Sequence, residues 1–568
     1  LRPQGEPIHA GQLIPLLLLP LLALRPPENP GWSMAAAAVL IAFLVLLAWN
    51  GSGRTAERAL FLAAAALALP AAWAAQAPGA AVRPLAILLA AVALGLAVAG
   101  LRRTERSGER LAMVLAATGG VAALHALHQR LWGLRLLGER IAADPSIPDR
   151  ELILARLEHN RAFGAFSTPA ALGGFLALAA PVTLGLAFAA RGRRRWLWLG
   201  LTALQFGGLL CSASATATAA LLGAVCLAAL VWKAGRRVTW VALSLALLLV
   251  VSMVALRGEE VLSGSHRNSP WRLRAGNFLA AISMARDHPL TGVGPGGFAE
   301  AYPGYRRPGD NETRHVHDLP LELCAELGWV AGPLLGLAFF WLFLRPLWRE
   351  RDRSPPWRRG LAVGLAAFAI QNLADFTAFL PSLLWMAALL RGWLARPGPE
   401  ATRPAGDPAG RAVAGSGLVV ATAVALLLAA AGVADHYRHV ARRAAYAGEP
   451  ERAELLAGHA AALAPWDPDA ALALARMTGL ASPLAGAGPE RVSLALERAE
   501  RAVRLAPVRP GARATRAEAR MAAGDFPGAF VDIAQASDLY PMNEEYAALR
   551  ARLEAATGEA IRRAGEGR

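Results

Sequence analysis

The chain has 568 residues, of which 55% are hydrophobic and only 18% charged, and its formal net charge is +16. The apolar residues come in blocks of about 20, the length that crosses hydrocarbon, which argues against a soluble globular protein. The positive charge falls between those blocks, where it sets topology, so no nucleic-acid partner is implied. Arginine supplies nearly all of it, Lys233 being the sole lysine. Cys211, Cys226 and Cys324 all lie in apolar segments and are too few and too scattered for a disulfide framework or a metal knot.

In chain order, apolar segments predict spans at 8–24, 34–50, 59–76, 84–100, 111–128, 166–190, 196–213, 214–232, 238–256, 320–344, 361–380, 382–395 and 412–433. The expected fold is all-α, a polytopic membrane protein with about 12 to 13 transmembrane helices. The sequence opens at Leu1 without Met, and the first apolar block reads as a retained span, not a cleaved signal. Arg54 and Arg58, Arg102 to Arg110, Arg191 to Arg195, Lys233 to Arg237 and Arg345 to Arg359 fall in alternate loops. Short arginine-rich loops stay cytoplasmic, which puts the N-terminus inside and the loops 129–165 and 257–319 on the outer face. Thirteen spans place the C-terminal region outside as well; one span fewer moves it to the cytoplasm. The domains expected are a transmembrane core at 1–395, a Pro/Gly/Ala-rich linker at 396–411, an additional span at 412–433 and a helical domain at 434–568.

The loop 257–319 is long enough to be functional. Its middle, Asn277 to Arg286, carries Phe278, Ile282 and Ala285 at helical spacing, which predicts a helix lying on the membrane surface, with Arg274 one turn before it. Asp287-His288-Pro289-Leu290 then breaks into Gly292-Val293-Gly294-Pro295-Gly296-Gly297-Phe298. Without a preceding strand and a following helix this is not a dinucleotide loop, and a sharp, close-packed turn is expected. The loop ends at His315-Val316-His317-Asp318 and runs into an apolar helix.

Met284-x-x-Asp287-His288-Pro289-Leu290-x-Gly292-x-Gly294-x-Gly296-x-Phe298, then His315-x-His317-Asp318 and Glu326-Leu327-Gly328, resembles the bacterial O-antigen ligase and polymerase family. So does Arg161-x-x-Gly164-x-Phe166-x-x-Pro169 upstream. The motifs cover roughly 150 to 385. Asp318 stands where the family usually has Asn, Ser or Gln, and Ala331 where it has Gly, with Gly332 beside it. In Ser212-Ala213-Ser214-Ala215-Thr216, where many members have Ser-Arg-Gly, Ala215 replaces an arginine. The resemblance implies transfer of a glycan from a polyprenyl-diphosphate carrier to a hydroxyl, with inversion and with no cofactor, nucleotide donor or required metal.

Such a transfer needs a base for the acceptor hydroxyl and cations for the departing diphosphate. His317 is the candidate base, since histidine titrates near neutrality. Arg274 and Arg161 are the candidate diphosphate clamp, because guanidinium pairs bidentately with phosphate oxygens. His315, Asp318 and Glu322 are candidate supporting residues, with Asp318 or Glu322 placed to orient the His317 ring. Other readings stay open: the histidines as a cap for the helix or, with Asp318 or Glu322, as metal ligands; Arg274 as an interfacial anchor; Arg161 as a snorkelling residue. Asp318, Glu322 and Glu326 share one helix face, which is costly toward lipid and is expected to point inward as structural support. Asp375 reads the same way, with lining of the acceptor path as its alternative.

After Asp435, Leu463-Ala464-Pro465, Leu505-Ala506-Pro507 and Leu539-Tyr540-Pro541 follow at spacings of 42 and 34 residues. Ala517, Gly524, Ala529, Ala536 and Pro541 complete a pattern similar to a tetratricopeptide repeat, which implies a concave surface for a protein partner, or else a plain helical cap. The whole points to a multi-pass glycosyltransferase of a bacterial inner membrane, with its active site and C-terminal domain on the periplasmic face. Its partners are the lipid-linked donor, a lipid or glycan acceptor and membrane lipids. Ligase and polymerase are variants of one class. The competing class is a transporter or assembly scaffold, which is less favoured because the polar residues gather in outer loops and not mid-span.

Overall fold

The computed structural model describes residues 10–29, 31–49, 62, 66, 70–101, 104–145, 147, 149–233, 251, 270–351, 354–395, 408–481 and 487–566. Runs of Ala, Leu and Val form helices, and no strand occurs among the described residues. In chain order the bundle comprises α1 (Ala10–Leu24), α2 (Ser33–Trp49), α3 (Pro78–Gly100), α4 (Glu105–His128), α5 (Leu134–Ala143), α6 (Arg150–Glu158), α7 (Pro169–Ala189), α8 (Arg193–Ser212) and α9 (Ala215–Val231). It continues with α10 (Pro270–Asp287), α11 (Phe298–Tyr305), α12 (Leu319–Leu344), α13 (Pro356–Gln371), α14 (Pro381–Leu394) and α15 (Pro408–Tyr446). The C-terminal region adds α16 (Pro450–Leu463), α17 (Pro468–Ala481), α18 (Pro489–Leu505), α19 (Pro510–Ala522), α20 (Phe526–Leu539) and α21 (Glu544–Glu566).

Pro78–Gly100, Glu105–Ala143, Pro169–Ala189, Leu319–Arg349 and Gly415–Tyr446 are long and apolar enough to cross a membrane, and shorter apolar helices accompany them. The chain is an all-α polytopic membrane protein. Half of the expected span 59–76 and nearly all of 238–256 fall outside the described residues. Two boundaries differ from expectation. The segment 361–380 stops being α-helix at Gln371 and continues as a turn with one short 3-10 stretch at Thr377–Phe379. The segment 412–433 is part of one longer helix, α15, that starts at Pro408 and runs unbroken to Tyr446.

Helix α7 is the centre of the bundle, packed by α4, α8, α9 and α13. Within lipid there is no hydrophobic drive between helices, so close backbone approach and polar contacts hold them together. Gly360 and Gly364 on α13 supply the approach: a Cβ on either would land on the Pro181 or Leu178 carbonyl of α7. The polar clasp is buried Gln205, which accepts from Thr183 Oγ1 (2.9 Å) and donates to the Ala116 carbonyl (2.8 Å).

The two ends of the bundle assemble separately. At one, Glu350 receives Arg358 at 2.8 Å, Trp232 donates to the Leu347 carbonyl at 2.7 Å, and Trp357 lies against Gly108. These are arginine-rich turns. At the other, Asn29 donates to the Ala165 carbonyl (2.6 Å), Ser382 to Glu28 (2.5 Å), and the Leu319 amide to the Asn372 carbonyl (2.9 Å). The histidine loop is at this second end, opposite the arginines. The C-terminal helices stand there too, through Arg83–Asp435 at 2.6 Å.

Candidate functional site

The site is built on a broken helix. Asp318 caps α12 by accepting from the Leu321 amide at 2.8 Å, with Pro320 in the first turn. At Gly328 (φ 78°, ψ 178°) the helix unwinds, in a backbone region essentially reserved for glycine. The carbonyls of Ala325 and Glu326 then accept from the Val293 (2.9 Å) and Gly294 (3.0 Å) amides, and the Trp329 amide donates to the Pro289 carbonyl (2.8 Å). Unwound backbone at membrane depth needs such partners. The glycine run supplies them as a tight turn: Gly292, Gly294 and Gly296 all have positive φ, and side chains there would strike Glu326, Ala75 and Pro84.

Helix α10 packs against this turn and against α12. Its fully buried face is Asn277, Ala280, Ala281, Met284 and Ala285, set against Val293, Phe298, Tyr302, Val316 and Ala325, while Phe278 and Ile282 are half-buried. Of the predicted stripe, Ala285 is thus buried against protein, and Phe278 packs at the edge of the same cluster. Tyr302 fastens the helix, its hydroxyl lying 3.0 Å from Asn277 Oδ1 and 2.9 Å from the Asn311 carbonyl. Burial pushes that phenol up to about 12.

Each imidazole meets its own carboxylate. Glu322, buried, binds His315 Nδ1 at 2.7 Å with one oxygen and accepts the Val316 amide at 3.0 Å with the other. His317 Nδ1 lies 3.7 Å from Asp375 Oδ1, within ion-pair reach, and makes no hydrogen bond among the described residues. Asp375 is buried at the turn after α13, where Oδ2 accepts from Thr216 (2.8 Å) and Oδ1 from the Phe376 amide (3.0 Å). Burial alone would raise its pKa; the His317 ring, the Phe376 amide and Thr216 outweigh it and hold the carboxyl below the usual carboxylate range. Phe376 separates the two rings, stacked on His315 (4.7 Å) and edge-on to His317 (4.8 Å). His317 itself has φ +67°, a left-handed conformation that costs a non-glycine residue on the order of 1 kcal/mol.

The supporting roles are thus distributed differently from the sequence expectation. Glu322 serves His315, Asp318 serves the α12 terminus, and the carboxylate facing His317 is Asp375. Burial raises the Asp318 pKa. Glu326 points inward and accepts the Phe298 amide at 3.3 Å. Asp375, read from sequence as structural support, and Thr216 were signalled only by being polar at the ends of apolar segments.

Of the two arginines, Arg161 is traceable to the pair. Its Nε donates to the Ser212 carbonyl (3.3 Å), at the turn whose Thr216 holds Asp375. That turn has Ala213 at φ +46° and Ser214 capping α9, with Ala215 exposed beside it. The Arg161 loop is pinned by buried Gln129, which sits in a π-turn after α4, accepts the Phe163 (3.0 Å) and Gly164 (2.8 Å) amides and donates to the Gly164 carbonyl (3.0 Å). Such π-turns are frequent at functional sites. Arg274 is half-buried on α10, one turn before Asn277. Among the described residues no group of three His, Cys, Asp or Glu side chains is disposed to hold a metal ion.

Residues 200–336 match a family model described as O-Antigen ligase. The matched segment runs from α8 to the middle of α12 and contains Arg274, His315, His317, Asp318 and Glu322. Arg161 and Asp375 lie outside it. No curated protein matches the chain.

Proposed function

We propose that this O-antigen-ligase-type membrane protein moves a glycan from a polyprenyl-diphosphate carrier to an acceptor hydroxyl, with inversion at the anomeric carbon and without a metal. His317 takes the hydroxyl proton as that oxygen forms the new glycosidic bond, and the bond to the diphosphate oxygen breaks. Asp375 keeps the ring oriented and stabilises the imidazolium that results. Arg161 and Arg274 neutralise the departing diphosphate, which leaves as a polyprenyl diphosphate. His315, fixed by Glu322 and Phe376, shapes the loop beside the base.

The observation that carries this reading is the His317–Asp375 pair, at the end of the bundle where the Arg161 loop also stands. The matched family segment supports the donor class. The arginine-rich turns at the opposite end support an outward-facing site, read here as the periplasmic face of an inner membrane. A lipid acceptor makes the protein a ligase, and a second glycan unit makes it a polymerase. The C-terminal hairpins are read as tetratricopeptide-like.

The test is purified protein given a polyprenyl-diphosphate glycan and candidate acceptors, comparing wild type with His317→Ala and Arg161→Ala, with and without chelator. Turnover is expected to fall by about 100- to 10,000-fold in His317→Ala. Unchanged turnover in that variant refutes the base, and loss on chelation of the wild type refutes the metal-independent step.

A further inference from the structure

The C-terminal helices are seated on the outer loop by their inter-repeat turns. The Trp466 and Leu505 carbonyls, in two successive turns, close over Gly79 at the head of α3, leaving no room for a side chain there. The Leu539 carbonyl, in the third, lies 3.4 Å from where a Cβ on Gly304 would be. Two polar clamps join the same surfaces.

In the first, Arg509 grips Glu300 of α11 with Nε (2.7 Å) and Nη2, and Asp469 of α17 with Nη1 (2.7 Å). Asp469 passes the contact to Arg438 (2.9 Å), Arg438 to Asp435 (2.5 Å), and Asp435 to Arg83 of α3 (2.6 Å). Glu300 and Arg509 are only 10% and 14% exposed, so neither charge has water to fall back on. Burial opposes the Arg509 charge, and Glu300 with Asp469 more than offsets it, holding that pKa above its ordinary value. In the second, Tyr540 donates to Glu312 (2.6 Å) and receives Arg306.

Both clamps grip the stretch that links the glycine turn to the histidines. Helix α11 follows the turn directly, its Phe298 amide is held by Glu326, and its Tyr302 ties Asn311 to α10. Glu312 precedes His315 by three residues.

We infer that the C-terminal helical array is a fixed wall of the transfer site, and that Arg509 is a positioning residue which acts through Glu300 and α11 to hold residues 298–318 in place. The inference rests on the proposed reaction for its kinetic consequence only. The array is accordingly anchored on the outer loop, through a clamp whose two partners, Glu300 and Arg509, are both largely shielded from water while it is seated.

The experiment uses full-length protein in membranes, with Arg509→Ala, Arg509→Lys and Tyr540→Phe. Amide hydrogen exchange reads the seating without reference to activity. Arg509→Ala is expected to speed exchange across 298–318 by on the order of 10- to 1,000-fold while α13 and α14 keep their protection, with Arg509→Lys restoring much of it. The turnover number falls with it, and rescue by Lys follows the exchange. Tyr540→Phe, a mild change that keeps the ring, is expected to loosen 304–312 by a smaller factor and serves if Arg509→Ala does not fold. Wild-type exchange at 298–318 in Arg509→Ala, or loosening there with undiminished turnover, overturns the inference. A wild-type protein that transfers no glycan overturns the proposed reaction and leaves the seating to be judged by exchange alone.

Discussion

Asp375→Asn separates the charge facing His317 from the packing around it. The asparagine carbonyl still accepts from Phe376, and its amide meets Thr216, whose hydroxyl turns to accept, so the turn after α13 keeps its partners. What is lost is a carboxylate 3.7 Å from Nδ1. At an effective dielectric of about 20, a carboxylate and an imidazolium at that separation attract by about 4 kcal/mol before desolvation. With about half surviving, the step in which the ring gains its proton is harder by about 2 kcal/mol, roughly 30-fold in kcat. The carboxyl, held below the usual range, is ionised at neutral pH. Its contribution to stability is present above the ordinary carboxylate pKa of about 4 and is lost only as pH falls through the lowered folded value. Rates are therefore compared near neutrality, on membrane-reconstituted protein with a labelled polyprenyl-diphosphate glycan, with kcat and KM resolved. The expected result is a drop of roughly 30-fold in kcat with KM for the donor within about threefold. In a His317→Ala background the same substitution has no further effect. A single variant within about threefold of wild type, or a full-sized effect in the absence of His317, refutes the pairing.

Gly328→Ala places a Cβ 2.5 Å from the Pro289 carbonyl in a backbone region L-residues avoid, and is expected to cost at least about 2 kcal/mol, seen as a lower thermal midpoint in detergent; an unchanged midpoint counters the broken-helix account. Gln129→Ala strips three hydrogen bonds, two of them buried, from the Arg161 loop, about 1 kcal/mol each, and is expected to raise KM for the donor more than it lowers kcat. Asp318→Asn keeps the cap on α12, whereas Asp318→Ala loses about 1 kcal/mol of it. Burial raises the folded pKa of Asp318, so its ionisation opposes folding progressively as pH climbs past the unfolded value, and fully above the folded one. The Asn variant is therefore expected to be more stable than wild type at neutral pH in thermal melts, and to lose that advantage below about pH 4; a less stable Asn variant at neutral pH contradicts this.

Much of this molecule is legible in its sequence, and for a physical reason. Apolar blocks have few alternatives to membrane helices, which is why α3, α7, α9 and the spanning part of α12 and α15 fall where hydropathy puts them. Glycines at 292, 294 and 296 signal a turn that only they can make. Asp318, expected beside the His317 ring, instead caps the helix it precedes by accepting from the Leu321 amide. The failures lie where contact is made across sequence. Thr216 and Asp375 are 159 residues apart, and nothing in either neighbourhood announces the other. Glu322, four residues along a helix from Asp318, is the obvious partner for the nearby His317, yet the left-handed backbone at His317 turns the chain so that His315 takes Glu322. On α10, amphipathic spacing announces a covered face but not that Val293, Phe298 and Ala325 are among the residues that cover it.

The break in α12 explains why so polar a constellation survives at the head of a span. A continuous helix would satisfy its own backbone and leave the glycine turn with nothing to bind. Unwinding at Gly328 frees two carbonyls for that turn, which in turn anchors α11 and fixes the direction from which the histidine loop returns. Glu322 and Glu326, on the turn of helix before the break, then face protein amides and an imidazole in place of lipid. The carboxylate face that would be costly toward hydrocarbon becomes the scaffold of the loop. The ordering runs from glycine to turn to helix to histidine. Loosening at Gly328 should therefore reach His317 before it reaches α13, whose packing on α7 depends on Gly360 and Gly364 alone of the glycines named here.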